Sequence, residues 1–315
     1  MADEKTGNWY FSLVEGSLLS LYHSTRALAV ALPPSALVRL YRGLGSLALA
    51  VRPGLRDRLR ERMCSALPGP PSTDELDRLA RDACSAALLP MLDLALFRLY
   101  STRMMRLLEV EGLENFDRAD RMGRGMILVG THLGAFVIRL AVMTRLRRPY
   151  TPVMLHPEDS TVGGYVKTLA LHGKELGCDP STPVLWARRG VMGAIKEQLS
   201  RGKRVYIAID VGGKRVVKFL GRPTALADGI GRLALDTGAP VVPFTLLRGS
   251  EPLSLRLSVR PPLRFSLGGN REEDVQSIMT EVAAAGERMI LEAPGQWMGW
   301  FGLAHWWKEA EKRDG

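Results

Sequence analysis

The sequence predicts an α/β fold: a mixed, mostly parallel central sheet flanked by helices, with a helical N-terminal cap. Two observations carry that prediction. Across residues 9–107, apolar side chains recur at helical spacing and β-branched runs are few. From about residue 108, short apolar runs of strand length alternate with helical stretches, the pattern of strands joined by crossover helices. No linker, internal repeat or low-complexity tract interrupts the 315 residues. The chain therefore reads as one domain over 1–315, with a helical region over about 9–107 and an α/β core with a C-terminal helix over about 108–315.

Each element has a local reason. Pro33-Pro34 and Leu67-Pro68-Gly69-Pro70-Pro71 break the N-terminal region into separate helices. Residues 56–62, RDRLRER, form a strongly basic helix end or face. Ser72-Thr73-Asp74-Glu75 marks a helix start, with Asp74 or Thr73 as its cap. Residues 126–130, MILVG, make a buried strand that leads into Thr131-His132, and 135–145 are helical. Residues 153–155 predict a second strand and 165–176 a second helix. A helix over 191–199 is followed by a strand over 204–209 that ends at Asp210. Residues 216–219 are short and extended, 229–237 helical and 241–247 a strand. Residues 253–265 hold one or two strands, and 272–292 form the last helix.

Lysine and arginine number 43 against 33 acids, a net charge of +10. Such a balance suits an acidic partner, whether nucleic acid, anionic lipid or an acidic carrier protein, or simply general solubility. No RRM, KH, zinc-finger or helix-turn-helix pattern occurs, and aromatics, at 7%, are mostly not interleaved with the basic residues, so no nucleic acid partner is expected. Cys64, Cys84 and Cys178 have no CxxC spacing, so neither a disulfide framework nor a metal site is expected. The chain has no Walker or GxGxxG sequence and no GxSxG elbow, which argues against a nucleotide cofactor and a serine hydrolase of that type. The start, MADEKTGNWYF, puts two acids before the apolar stretch, unlike a secretory signal. No uncharged apolar run reaches 18 residues, so no clean membrane span is expected. Residues 9–32, with Trp9, Tyr10, Phe11, Leu18, Leu19 and Tyr22, suit either a helix lying in a membrane interface or an ordinary core helix. Four of the six tryptophans fall near the C-terminus, as an interface belt or as packing over the domain.

Two residues are candidates for chemistry. His132 directly follows an apolar strand, and in open α/β sheets sites form beyond the carboxyl ends of strands. A histidine there can act as a general base or cap the next helix. Asp210 also follows an apolar strand and precedes Gly212-Gly213. It can orient a histidine or bind an acceptor, with the glycines letting backbone approach a ligand, or it can be a turn residue. Basic clusters at Arg145/Arg147/Arg148, Arg188/Arg189 and Lys214/Arg215/Lys218 suit phosphate binding or a solvated face.

The order of these pieces resembles the lipid A late acyltransferases of the lysophospholipid-acyltransferase superfamily. The matching residues are Ile127 to Gly134, Val205 to Asp210, and Phe219-Leu220-Gly221-Arg222-Pro223. They continue through Gly229 to Ala234, Asp236-Thr237-Gly238-Ala239-Pro240, Val241-Val242-Pro243-Phe244 and Pro294-Gly295-Gln296-Trp297. The resemblance covers about residues 35–307. It implies transfer of a fatty acyl group from an acyl thioester, on acyl-carrier protein or coenzyme A, to a membrane lipid or glycolipid acceptor. The site would lie at the cytoplasmic face of the inner membrane, on a peripheral or monotopic protein, with no cofactor beyond the thioester co-substrate. It makes His132 the general base and places Gly221 in its Phe-X-Gly-X-Pro segment. With the basic clusters, the expected site is His132 and Asp210 as catalytic residues and Arg189, Lys214, Arg215 and Gly221 as substrate-binding residues. The family's acid, five residues after the histidine, is here Val137, and no Asp or Glu occurs between Thr131 and Pro157. Three readings of that departure stand open. A remote carboxylate (Asp210, Asp228, Glu158 or Asp159) replaces the acid, the acceptor is a better nucleophile such as an amine, or the chain binds lipid or carrier without transfer. Val137 beside the imidazole is expected to form an apolar wall that lowers the histidine pKa.

Overall fold

The structure is a computed structural model and describes residues 20, 22–69, 71–159 and 183–314. The expected helix over 165–176, Cys178 and all of residues 9–19 lie outside the described residues. The N-terminal region is helical as read: residues 22–31, then α1 (Pro34–Ala50), α2 (Pro53–Ala66) and α3 (Thr73–Arg106). Prolines sit in the first turn of α1 and of α2, where a missing N–H costs nothing. Ser72, not Thr73 or Asp74, caps α3: its hydroxyl accepts from the Glu75 N–H at 3.2 Å. Asp74 and Glu75 instead complement the helix dipole from the first turn, as Arg103 and Arg106 do from the last. α3 is apolar and long enough to cross a membrane by length and composition, but most of its apolar stretch is buried inside the protein.

The core alternates strands with helices. In order come β1 (Leu108–Glu111), α4 (Leu113–Asp120), β2 (Met126–Gly130), a 3₁₀ turn (Phe136–Ile138), α5 (Arg139–Arg145), β3 (Thr151–Met154) and β4 (Leu185–Trp186). Then follow α6 (Val191–Ser200), β5 (Arg204–Ala208), β6 (Gly212–Phe219), β7 (Arg222–Leu226), α7 (Gly229–Thr237), β8 (Val241–Arg248) and β9 (Leu255–Val259). α8 (Arg271–Glu292) is not the last helix, because α9 (Leu303–Asp314) follows it. Seven strands form one sheet in the order β1-β9-β8-β2-β5-β3-β4, parallel except for the β8–β9 pair, and β6–β7 is a separate antiparallel hairpin.

Side-chain alternation divides the core between the two sheet faces. Ile127, Val129, Val205 and Ile209 pack with α6, α7, α8 and the first half of α3. Met126, Leu128, Tyr206 and Phe244 pack with α1, α4, α5 and the second half of α3. Every residue of β2 is buried, as expected of a central parallel strand covered on both sides. Parallel pairing of β2 with β5, with Gly130 opposite Ala208, brings their carboxyl ends to the same sheet edge. Residues His132 and Asp210, each two positions further on, therefore emerge side by side.

Candidate active site

His132 and Asp210 meet in a direct contact. The His132 ring Nδ1 lies 2.9 Å from Asp210 Oδ1, and the His132 backbone N–H donates to Asp210 Oδ2 at 2.8 Å. The same oxygen accepts from the Trp297 indole N–H at 2.8 Å. The carboxylate side chain is 1% exposed, whereas the imidazole is 43% exposed, so one edge of the ring faces out over a buried acid. Burial is the largest influence on both groups and opposes both charges. Their mutual attraction and hydrogen bonds outweigh it: His132 titrates above its ordinary value and Asp210 below its own. Phe136 stands edge-on to the imidazole at 5.2 Å and forms the apolar wall expected of Val137, which lies on the same 3₁₀ turn. The expected lowering of the histidine pKa is thus overturned, because a carboxylate in contact outweighs apolar surroundings.

The C-terminal segment holds the site shut from one side. Leu133 bridges Trp297, the Met298 N–H donates to the His132 carbonyl at 3.0 Å, and the Gly134 N–H donates to the Gln296 carbonyl at 3.2 Å. The Gln296 side chain clasps Arg248 at the end of β8 through two hydrogen bonds of 2.9 and 3.0 Å. Gly134 turns at φ +64°, and a Cβ there would come within 2.2 Å of the Leu246 carbonyl. Trp297 and Trp300 are fully buried and meet edge to face at 5.0 Å, so these tryptophans are packing, not an interface belt. Trp297, the third donor to Asp210, is not predictable from the sequence. Its signal was the Pro-Gly-Gln-Trp segment, but nothing local tied it to a residue 87 positions away.

The other candidates lie apart. None of Arg189, Lys214, Arg215 and Gly221 hydrogen-bonds or ion-pairs with His132 or Asp210. Arg189 is exposed on the turn before α6, and Lys214 is exposed in the irregular start of β6. Arg215 is engaged by Asp228 at 3.2 Å and Glu272 at 2.6 Å. Gly221 occupies the β6–β7 turn at φ +78°. The Gly212-Gly213 pair accommodates the protein itself: added Cβ atoms would meet the Trp306 ring at 2.9 Å and Ala227 at 2.4 Å. The alternative acids are committed to cations. Asp228 also binds Arg232, while Glu158 and Asp159 both bind Arg188. Arg148 likewise pairs with Asp117. Among the described residues no group of His, Cys, Asp and Glu is placed to hold a metal.

The family model of the bacterial lipid A biosynthesis acyltransferases matches residues 5–308. No curated protein matches the chain.

Proposed function

Because the chain belongs to the bacterial lipid A biosynthesis acyltransferase family, we propose that it moves a fatty acyl group from an acyl thioester to a membrane lipid or glycolipid acceptor. The donor is acyl-carrier protein or coenzyme A, and His132 is the general base. The observation that carries this reading is the His132–Asp210 contact at 2.9 Å, which supplies the orienting acid that Val137 cannot. With Nδ1–H donated to Asp210, the other ring nitrogen is left to take the acceptor's hydroxyl proton. The acceptor oxygen then attacks the thioester carbonyl, the thiolate leaves, and the imidazolium returns the proton to the sulfur. Asp210 stabilises the imidazolium through that sequence, and the Trp297 indole and the His132 backbone N–H hold the carboxylate in place.

In this reading the protein works at the cytoplasmic face of the inner membrane, attached peripherally or monotopically. Among the described residues, six of the fourteen exposed large apolar residues (Leu28, Val30, Leu32, Leu40, Leu47 and Val51) fall within 24 residues of the N-terminal helical region, which favours membrane contact there. Leu40, Leu47 and Val51 are spaced at seven and four, one face of a helix. Purified protein incubated with labelled acyl-carrier protein or acyl-coenzyme A and a lipid extract tests the reading. Labelled lipid product, lost in His132→Ala, is the expected result. Binding with neither transfer nor thioester hydrolysis favours instead a family member that holds lipid or carrier without catalysis.

A further inference from the structure

Beside the carboxyl end of β2, next in sequence to His132, lies a buried cation to which the reaction scheme gives no part. Arg139 is 2% exposed, and no carboxylate among the described residues pairs with it. Its guanidinium lies 4.4 Å from the centre of the Tyr206 ring and 5.0 Å from that of Phe244. Nη2 donates to the Tyr206 hydroxyl at 2.6 Å and reaches the Thr131 carbonyl at 3.5 Å, while Nε and Nη1 have no hydrogen-bond partner. β2 is shaped to admit the group: a Cβ at Gly130 would come within 2.5 Å of Nη1. Burying a cation without a counter-ion is costly, and an apolar side chain of similar volume would fill the space without that cost.

The electrostatic setting of His132 gives the cation a use. Among the described residues, two charged groups act on the imidazole: Asp210, following β5, and Arg139, opening α5. Tyr206 stays neutral, its hydroxyl pushed up to about 12 mainly by burial. The segment 294–301 that covers the site carries no titratable side chain. Asp210 draws a proton onto the ring and Arg139 repels it.

We propose that Arg139 is a positioning residue for His132, tying the carboxyl end of β2 to β5 and setting a fixed positive charge against the imidazolium. A carboxylate in contact holds the imidazole toward its protonated form, and the cation's repulsion acts the other way, toward the neutral form that can accept a proton. The consequence for catalysis rests on the acyl-transfer reading, but the electrostatic role does not.

The test is an NMR titration of histidine-labelled full-length protein, with the His132 signal assigned by its loss in His132→Ala. Arg139→Met and Arg139→Gln are expected to raise the His132 midpoint by roughly half to one pH unit, and Arg139→Lys to leave it within about 0.3 unit. A purely structural role would lower thermal stability without moving the midpoint. An unchanged midpoint in a folded neutral variant overturns the proposal. So does failure of both neutral variants to fold, because Arg139 is then a cation the fold itself requires. Should the wild type prove inactive while the midpoints move as expected, acyl transfer is wrong and the role of Arg139 stands.

Discussion

Which form of the imidazole is present decides what His132 can do. Its folded pKa lies above 6.5, so the neutral base accumulates only as pH rises, and the transfer rate should climb through a midpoint above that value. Asp210→Asn removes both influences that raise the pKa and leaves burial and Arg139, which lower it. The acidic limb should then move below 6.5 while the maximal rate falls by roughly 10²–10⁴-fold, as seen when an orienting acid is neutralised in hydrolase triads. Stability follows the same linkage. The His132 contribution is complete below its unfolded value of 6.5 and is lost as pH rises through the raised folded value. The Asp210 contribution is complete above its unfolded value of 3.8 and is lost as pH falls through the lowered one. Denaturant unfolding across pH should therefore show the largest deficit of Asp210→Asn between those two unfolded values. Val137→Asp should leave the rate within about threefold of wild type, since an acid already holds the ring; a tenfold gain would show that Asp210 does not serve. His132 and Asp210 were legible because each follows an apolar strand. That they touch was not, because the contact depends on β2 and β5 lying side by side although 78 residues separate the pair.

Helices and strands were legible where burial wrote a period into the sequence. α7, read as 229–237, runs Gly229–Thr237, and the central strands β2, β5 and β8 fall within two residues of their expected ends. β1 was missed because Leu108–Glu111 is a short strand with mostly exposed side chains, so its LEVE sequence shows no buried run. β4 is two residues long and leaves no period at all. α9 carries a signal, since Leu303, Trp307 and Ala310 are buried at helical spacing, but tryptophans near a terminus fit packing or an interface belt equally and specify no helix by themselves. The Ser72 cap shows the limit of composition, since Ser, Thr and Asp stand in a row and only geometry decides between them. Ser72→Ala should cost about 1 kcal/mol by denaturant unfolding. Trp297→Phe keeps most of the packing and removes one donor to a buried carboxylate. It should cost about 1.5–3 kcal/mol and lower transfer activity, with thermal melting and initial rates as readouts.

The whole molecule combines a basic chain, a site at one sheet edge and an N-terminal helical region with exposed apolar residues. Many basic residues are internally paired, as Arg148 with Asp117 and Arg188 with Glu158 and Asp159 show, so the +10 charge alone does not mark a binding face. The exposed apolar face of α1 is the better guide. Leu47→Glu with Val51→Glu should reduce sedimentation with anionic vesicles severalfold while leaving the melting temperature nearly unchanged. Equal sedimentation would place the attachment elsewhere. Catalysis by this molecule rests on a carboxylate 78 positions away that completes the histidine's machinery. This dependence is tested most directly by the pH profile of acyl transfer from a labelled acyl thioester to lipid, measured for wild type and Asp210→Asn. The wild type should give product with a midpoint above 6.5, and the variant should be much slower, with its midpoint below that value. A variant with the wild-type rate and midpoint would contradict it.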